Sequence, residues 1–505
     1  MIARAAALAH VATVAACSDA PAPRPPDIVL LTVDTLRADR VGAMGHAPRG
    51  GSPTPLADAL AARGAVFTRC YVPRGQTHPS LASMLTGKFP ITHGLRDNGM
   101  QFAAEHVPFP VLLKRRGYRT AAFCSNLDRT RWPFWLRGFD VAEDGVEGML
   151  TEEGARGFET HATWDERTVA KALRWIEALP RADPDAPDAA APFFLWVHLY
   201  DAHQPFTPSE EARDRFADPG YDGPFRHPRG EDGPPRDAAG EHLAAWALGD
   251  RSYDADDLAA VDALYDAGVA DVDARLARVT AALEATGRLD DAMVLYSSDH
   301  GEELGRHHGY FGHGNSIYDA VLHVPLIVAW PGRIAPGTRV DGLCQNLDLF
   351  PTLLEAAGAE VPADTEGRSL LPLLGGAPGR PFVYAEWEDL LYSISDGTWK
   401  AITNPRGAQP RKPPYNHRDG AAFPYACFEL YHLADDPGER RDLHGARPAE
   451  EDRLHRELRE FLSHPSRRTP LRLPDEVDAG LEALGYVGST RNKRDVLSIE
   501  CGEDR

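Results

Sequence analysis

The chain has 505 residues, 43% of them hydrophobic, enough for a large core and for two to four units of ordinary domain size. A formal net charge of −21 disfavours nucleic acid or an anionic lipid surface as a partner. The six cysteines are widely spaced with no C-x-x-C pair, which argues against a disulfide scaffold and against a structural zinc site.

The opening "MIARAAALAHVATVAAC" holds one Arg, a short apolar run and the small residues Val14-Ala15-Ala16 before Cys17. The run is shorter than the roughly 20 residues a membrane span needs. It reads as a secretory signal. Small residues directly before a cysteine resemble a bacterial lipobox, which implies cleavage before Cys17 and a lipid on it. "SDAPAPRPP" then suits a flexible tether, so residues 1–26 are set apart from the fold. The protein is expected outside the cytoplasm, in the periplasm or cell envelope, touching the membrane only through that lipid. A mis-assigned start codon in a cytosolic chain is the competing reading. Without Cys17 the cysteines number five, so at least one thiol is expected free.

From Asp27 the pattern is strand, then helix, repeated. "DIVLLTV" is apolar throughout, as expected of a strand buried on both faces of a parallel sheet. "TPLADALAARG" predicts an amphipathic helix, "FPVLLKRRGYRTAAFC" a helix and strand, and "ERTVAKALRWIEALP" a helix. "PFFLWVHLYD", "DAMVLYSSDHG" and "HVPLIVAWPG" are further strands, and the longest helical pattern runs from Asp256 to Gly287. Alternation of this kind predicts a doubly wound, mostly parallel α/β sheet. Pro180–Pro192 and Ser209–Asp250 lack a hydrophobic period and are expected to be loops. After about residue 375 short strand patterns and a helix, "AEEDRLHRELREFLSH", predict a small antiparallel α+β subdomain. The expected organisation is a catalytic α/β domain over 27–374, the subdomain over 375–490 and a tail over 491–505.

In an open parallel sheet, ligands bind beyond the carboxyl ends of the strands. Asp34 follows "IVLLTV", Asp201 and His203 follow "FFLWVHLY", and Asp299 and His300 follow "MVLYSS". Carboxylates and imidazoles at three strand ends can converge on a divalent cation. Thr77, two residues before Pro79, suits the first turn of a helix through "SLASMLTG". Free N–H groups and the helix dipole there favour a tetrahedral oxyanion. Taken singly, Asp34 and Thr77 also read as helix caps. "SDHGEELGRHHGYFGHG" carries four histidines, of which His300 and His313 are the candidates and His307 or His308 reads as plain surface.

In order, "LLTVDTLRADRVGAMG", "THPSLASMLTGKFPITHGLRDNG", "FFLWVHLYDAHQPF", "YSSDHGEELGRHHGYFGHG" and "CFELYHLADDPGERRDL" resemble the landmarks of sulfatase-type members of the alkaline phosphatase superfamily, over most of residues 27–445. The resemblance implies an alkaline-phosphatase-like fold. It implies metal ligands at Asp34, Asp299 and His300, with the Thr77 oxygen on the same ion. The ion would be calcium, manganese, magnesium or zinc, with a second one if His203 and His313 join Asp201. It implies a nucleophile at Thr77, a substrate-contacting histidine at His203 near the leaving group, and His313 where sulfatases often carry a lysine.

Four departures stand out. Thr77 occupies the position of the cysteine that becomes formylglycine. Leu81 replaces the signature arginine, Thr35 replaces a second aspartate, and "FCSN" stands where a Gly-Lys-x-His signature is expected. A hydrolase or transferase of small-molecule, glycan or lipid phosphate esters is therefore the favoured expectation. A sulfate-ester hydrolase without formylglycine and a weakly catalytic binder of anionic ligands are the alternatives.

Overall fold

The structure, a computed structural model, describes residues 24–98, 100, 105–126, 137–145, 161–181, 191–204, 206–226, 253–307, 311–387, 390–404 and 425–464. The leader with Cys17, His308, Cys501, the 491–505 tail and most of the two expected loops lie outside the described residues.

Among the described residues, nine strands form one sheet: β1 Ile28–Val33, β2 Ala65–Tyr71, β3 Arg119–Cys124, β4 Val141–Asp144, β5 Phe193–Leu199, β6 Met293–Ser298, β7 His323–Ala329, β8 Thr338–Val340 and β9 Cys344–Gln345. Their order is β4-β3-β5-β1-β6-β7-β2-β8, with β9 beside β2. Every pairing is parallel except those of β7, which runs against both β6 and β2. The expected mostly parallel α/β sheet is the one observed. The reversal of β7 has no sequence signal, because a run buried on both faces reads the same in either direction.

Eight helices matter here: α1 Pro55–Arg63, α2 Thr77–Thr86, α3 Phe109–Arg115, α4 His161–Glu177, α5 Glu210–Phe216, α6 Ala255–Glu284, α7 Leu349–Ala356 and α8 Pro448–Ser463. β1 is apolar at every position because each face of the sheet meets a core. Ile28 and Leu30 join Leu81, Met84 and Leu85 of α2, Phe109 of α3 and Leu353 of α7. Val29, Leu31 and Val33 join Leu60 of α1, Val169 of α4 and Val272 of α6. Alternate side chains of one strand thus feed two separate cores. The Ser209–Asp250 stretch is not wholly loop. Ser209 caps α5 by accepting from the Ala212 amide, and Ala212 and Phe216 pack on Ala267 and Ala270 of α6. Two apolar residues suffice to seat two helical turns and are too few to register as a period.

A second, antiparallel sheet comprises β10 Val383–Trp387, β11 Leu391–Ser395, β12 Trp399–Thr403 and β13 Phe428–His432. Leu454 and Leu458 of α8 cover its Ile394, Ala401 and Leu430. Buried charge ties it to the first sheet. Lys400 lies 2.7 Å from Asp319 and 2.6 Å from Glu439. Of His307 and His308, one or other expected at the surface, His307 is buried. Its Nδ1 is 2.8 Å from Glu303 Oε2 and its Nε2 is 3.1 Å from the Gly438 carbonyl. Both ring nitrogens face acceptors, an arrangement only the imidazolium satisfies. Burial alone pulls the His307 pKa down, but the Glu303 carboxylate outweighs it and the net shift is upward. Cys70, Cys124 and Cys344 are free and buried, as the odd count requires of at least one thiol, while Cys427 is disulfide-bonded. No helix among the described residues is long and apolar enough to cross a membrane.

At the strand ends remote from Asp34, the Asp27 carboxylate takes Arg288 Nε at 2.6 Å and Nη2 at 2.8 Å, and accepts from the Phe193 amide at 3.0 Å. This bidentate pair fixes the starts of β1 and β5 together. Asp27→Ala leaves Arg288 buried and unpaired, and is expected to cost about 3–5 kcal/mol in urea unfolding. A loss below about 1 kcal/mol would count against that role. For His307 the raised pKa means stability that is full below its unfolded value and is lost as pH rises through the folded one. The urea midpoint of wild type should therefore exceed that of His307→Gln by more at pH 6 than at pH 9.

Candidate active site

β1 ends at Val33, and the chain turns sharply at Thr35, whose φ of 59° is unusual for a β-branched residue. The turn is held on both sides. The Thr35 carbonyl accepts from Tyr265 Oη at 2.6 Å, and its amide faces Asp299 Oδ1 at 3.3 Å. Asp34, immediately before, donates its own amide to the Leu199 carbonyl at 2.8 Å and so stays in register with β5. It caps no helix.

Asp34 and Asp299 end adjacent parallel strands, and both are fully buried. Asp299 Oδ1 is bonded to the His300 amide at 2.9 Å, while Asp299 Oδ2 has no hydrogen-bond partner. Asp34 Oδ2 accepts from Asn126 Nδ2 at 2.5 Å, while Asp34 Oδ1 has no partner. Burial first, and then the Asp299 charge, push the Asp34 carboxyl well above its usual range.

His300 faces these two empty oxygens. Its Nδ1 lies 3.0 Å from the Gly301 carbonyl, which only accepts, so Nδ1 carries the proton. In the neutral ring Nε2 then offers a lone pair. It lies 3.4 Å from Asp299 Oδ2, 3.9 Å from Asp34 Oδ1 and 3.3 Å from Thr77 Oγ1. The turn that carries His300 needs its glycine, since a Cβ at Gly301 would sit 2.3 Å from the Ala320 carbonyl oxygen. Arg37, buried, braces the next residues by donating to the Glu302 carbonyl at 2.8 Å.

Thr77 is the first residue of α2; the N-cap is Gln76, so Thr77 is no cap. The expected supply of free N–H groups is smaller than the sequence suggests. Pro79 has none, the His78 amide donates to Asn98 Oδ1 at 3.0 Å, and the Ser80 amide returns to the Gln76 carbonyl at 3.1 Å. Leu81, one turn on, is completely buried in the core, so an apolar side chain fills the arginine's place.

His313 lies beside His300, tilted against it with ring centroids 4.3 Å apart, and His203 meets His313 edge-on at 5.0 Å. His203 in turn stacks on Tyr200 at 4.4 Å. Nδ1 of His313 bonds Glu302 Oε1 at 3.0 Å, and burial lowers the His313 pKa. Three imidazoles thus run in a row from the carboxylate pair. Asp201 does not join them: it is buried against Arg275, whose Nη1 lies 2.5 Å from its Oδ2. The second-ion arrangement through Asp201 is therefore replaced by an ion pair.

Three contributors escape a reading of the motifs. Asn126 follows β3 as Asp34 follows β1, so the strand-end rule marks it, but an uncharged amide raises no flag. His198 hides inside the apolar run of β5; one ring nitrogen of it groups with carboxylate oxygens of Asp34 and Asp299, all within 4.8 Å of one another. Burial lowers the His198 pKa. Glu302 lies two residues past His300, and its orienting role shows only through His313.

The sulfatase family model matches residues 26–359. An N-acetylglucosamine-6-O-sulfatase of Bacteroides thetaiotaomicron is 25% identical over 85% of this chain and 84% of its own length. The multifunctional alkaline phosphatase superfamily protein PehA of Trinickia caryophylli is 26% identical over 72% of this chain and 79% of its own. In fold, the chain is similar to the phosphonate monoester hydrolase of Agrobacterium radiobacter, with a TM-score of 0.64 at 22% identity over 86% of this chain and 94% of the other. A family model matched over residues 26–359 and relatives aligned over 72–85% of the chain together establish that it belongs to the sulfatase family and is an ester hydrolase.

Proposed function

We propose that the chain cleaves an anionic ester through Thr77, with a phosphate mono- or diester as the favoured substrate class and hydrolysis or transfer to an acceptor alcohol as the outcome. The observation that carries this reading is the placement of the Thr77 hydroxyl, 3.3 Å from His300 Nε2, beside two buried carboxylates with unsatisfied oxygens.

Two carboxylate oxygens with no partner, in a fully buried position, are costly unless a cation offsets them. The donor set fits one: oxygens from Asp34 and Asp299, the lone pair of His300 Nε2 and the Thr77 hydroxyl, in the mix that suits a hard or borderline divalent ion. A divalent cation bound there would neutralise the carboxylate pair and lower the pKa of the Thr77 hydroxyl. Thr77 then attacks in line. Its Oγ–phosphorus bond forms, its proton leaves to solvent, and the ester oxygen departs with a proton from the His203–His313 pair. Water or an alcohol next attacks phosphorus and releases Thr77.

The preference for phosphorus follows from the single hydroxyl. A formylglycine hydrate has two and sheds sulfate by breaking its C–O bond; threonine has no second hydroxyl, and its ester must be opened at the central atom. Phosphoryl groups are resolved that way as a matter of course. A sulfate-ester substrate is the second reading, and the sulfatase names of relatives such as the N-acetylglucosamine-6-O-sulfatase favour it.

Thr77→Ala should lower turnover of aryl phosphate esters by about 10³-fold or more, while Thr77→Ser retains a measurable share. Sulfate turnover without phosphate turnover in wild type would overturn the preference. His203→Ala should hurt esters of poor leaving groups most, seen as a steeper dependence of kcat on leaving-group pKa. Asp299→Asn should lower bound divalent metal after dialysis by about tenfold or more relative to wild type; equal metal content would remove Asp299 from the ligand set.

A further inference from the structure

Grouped with Asp34 and Asp299, His198 has the look of a metal ligand. The hydrogen bonds behind it point elsewhere. Thr32 and His198 are register partners on β1 and β5, on the face of the sheet that also carries Leu30 and Trp196. Thr32 Oγ1 lies 2.8 Å from His198 Nδ1 and 2.9 Å from Trp196 Nε1. All three side chains are buried.

An indole N–H only donates, so the Thr32 oxygen accepts from Trp196. Its one hydroxyl proton then needs an acceptor, and His198 Nδ1 is placed to take it. Were His198 to donate through Nδ1 instead, the Thr32 proton would be buried with no acceptor, an arrangement that costs free energy. With Nδ1 accepting, the ring proton of a neutral imidazole sits on Nε2. That atom faces Asp34 Oδ2 at 3.7 Å, too far for a hydrogen bond, and has no hydrogen-bond partner.

The two oxygens of Asp34 therefore have different neighbours. Oδ2 faces two N–H groups, Asn126 Nδ2–H at 2.5 Å and His198 Nε2–H. Oδ1 is empty and faces His300 Nε2 at 3.9 Å. We infer that His198 is a positioning residue and not a ligand: the chain Trp196–Thr32–His198 fixes its Nε2–H tautomer, and that N–H dipole, facing Asp34 Oδ2 beside the Asn126 hydrogen bond, favours the orientation in which Oδ1 points to the cation. This rests on the reading of Asp34 as a cation ligand.

The experiment is nitrogen–proton correlation NMR on protein labelled with ¹⁵N-histidine, before and after loading with ¹¹³Cd²⁺, with His198→Gln used to assign the His198 signals. The expected result is a neutral ring protonated at Nε2 in both states, with no cadmium coupling to His198. In Thr32→Val the Nε2–H form should lose its dominance, and the cadmium Kd should rise by about tenfold, within the 10- to 100-fold range typical when a ligand's partner is removed. An unprotonated Nε2, or cadmium coupling to it, overturns the positioning role while leaving the cation reading intact. So does a Thr32→Val protein with unchanged tautomer and Kd. A wild-type protein that takes up no cadmium overturns the cation reading, and the positioning role with it, whatever the tautomer.

Discussion

Two carboxylates, Asp34 and Asp299, end neighbouring parallel strands in the middle of the sheet, and both are fully buried. Their mutual repulsion and lost hydration are the constraint around which the surrounding structure is arranged. Each has one oxygen satisfied by nearby N–H groups and one left open. The satisfied oxygens fix the orientation, and the open ones, with the lone pair of His300, define where positive charge belongs. A fold does not keep such a pair for stability, since apolar residues of similar volume would serve as well or better. The pair is retained for what it holds.

The scaffold restrains this charge from several directions at once. Thr35 adopts a left-handed conformation that costs free energy, and Tyr265 and Asp299 hold it there. Gly301 allows the His300 turn to pass against the Ala320 carbonyl. Behind the strands, the Asp27–Arg288 pair locks the opposite ends of β1 and β5. The second sheet reaches the same turn through His307, which pairs with Glu303 and bonds Gly438. The residues after His300 are thus shared between the catalytic turn and the contact with the second sheet.

Around Thr77, Leu81 is a core residue, the first turn of α2 has one amide missing and one already bonded to Asn98, and a row of imidazoles leads away from His300. Imidazoles deliver protons as readily as charge. In the mechanism proposed above, that row serves to protonate the leaving group.

Much of this was legible in the sequence. The apolar runs identified the sheet, and the polar residues after β1 and β6 identified Asp34, Asp299 and His300, because strand ends at the carboxyl edge are where side chains leave the core. Thr77 was legible from Pro79 and the helix that follows. Other features are pairings between residues far apart in the chain, which no local pattern encodes. The antiparallel course of β7, the burial of His307 beneath the second sheet and the commitment of Asp201 to Arg275 are of this kind. So is the joining of Asn126 to Asp34 across 92 positions and of Thr32 to His198 across 166. The sequence by itself determined which residue types stand at the strand ends, since hydrophobic period and chain order are local properties. Only the tertiary structure decided which of their atoms are left without partners, because a hydrogen bond is satisfied or not by whatever folding brings beside it.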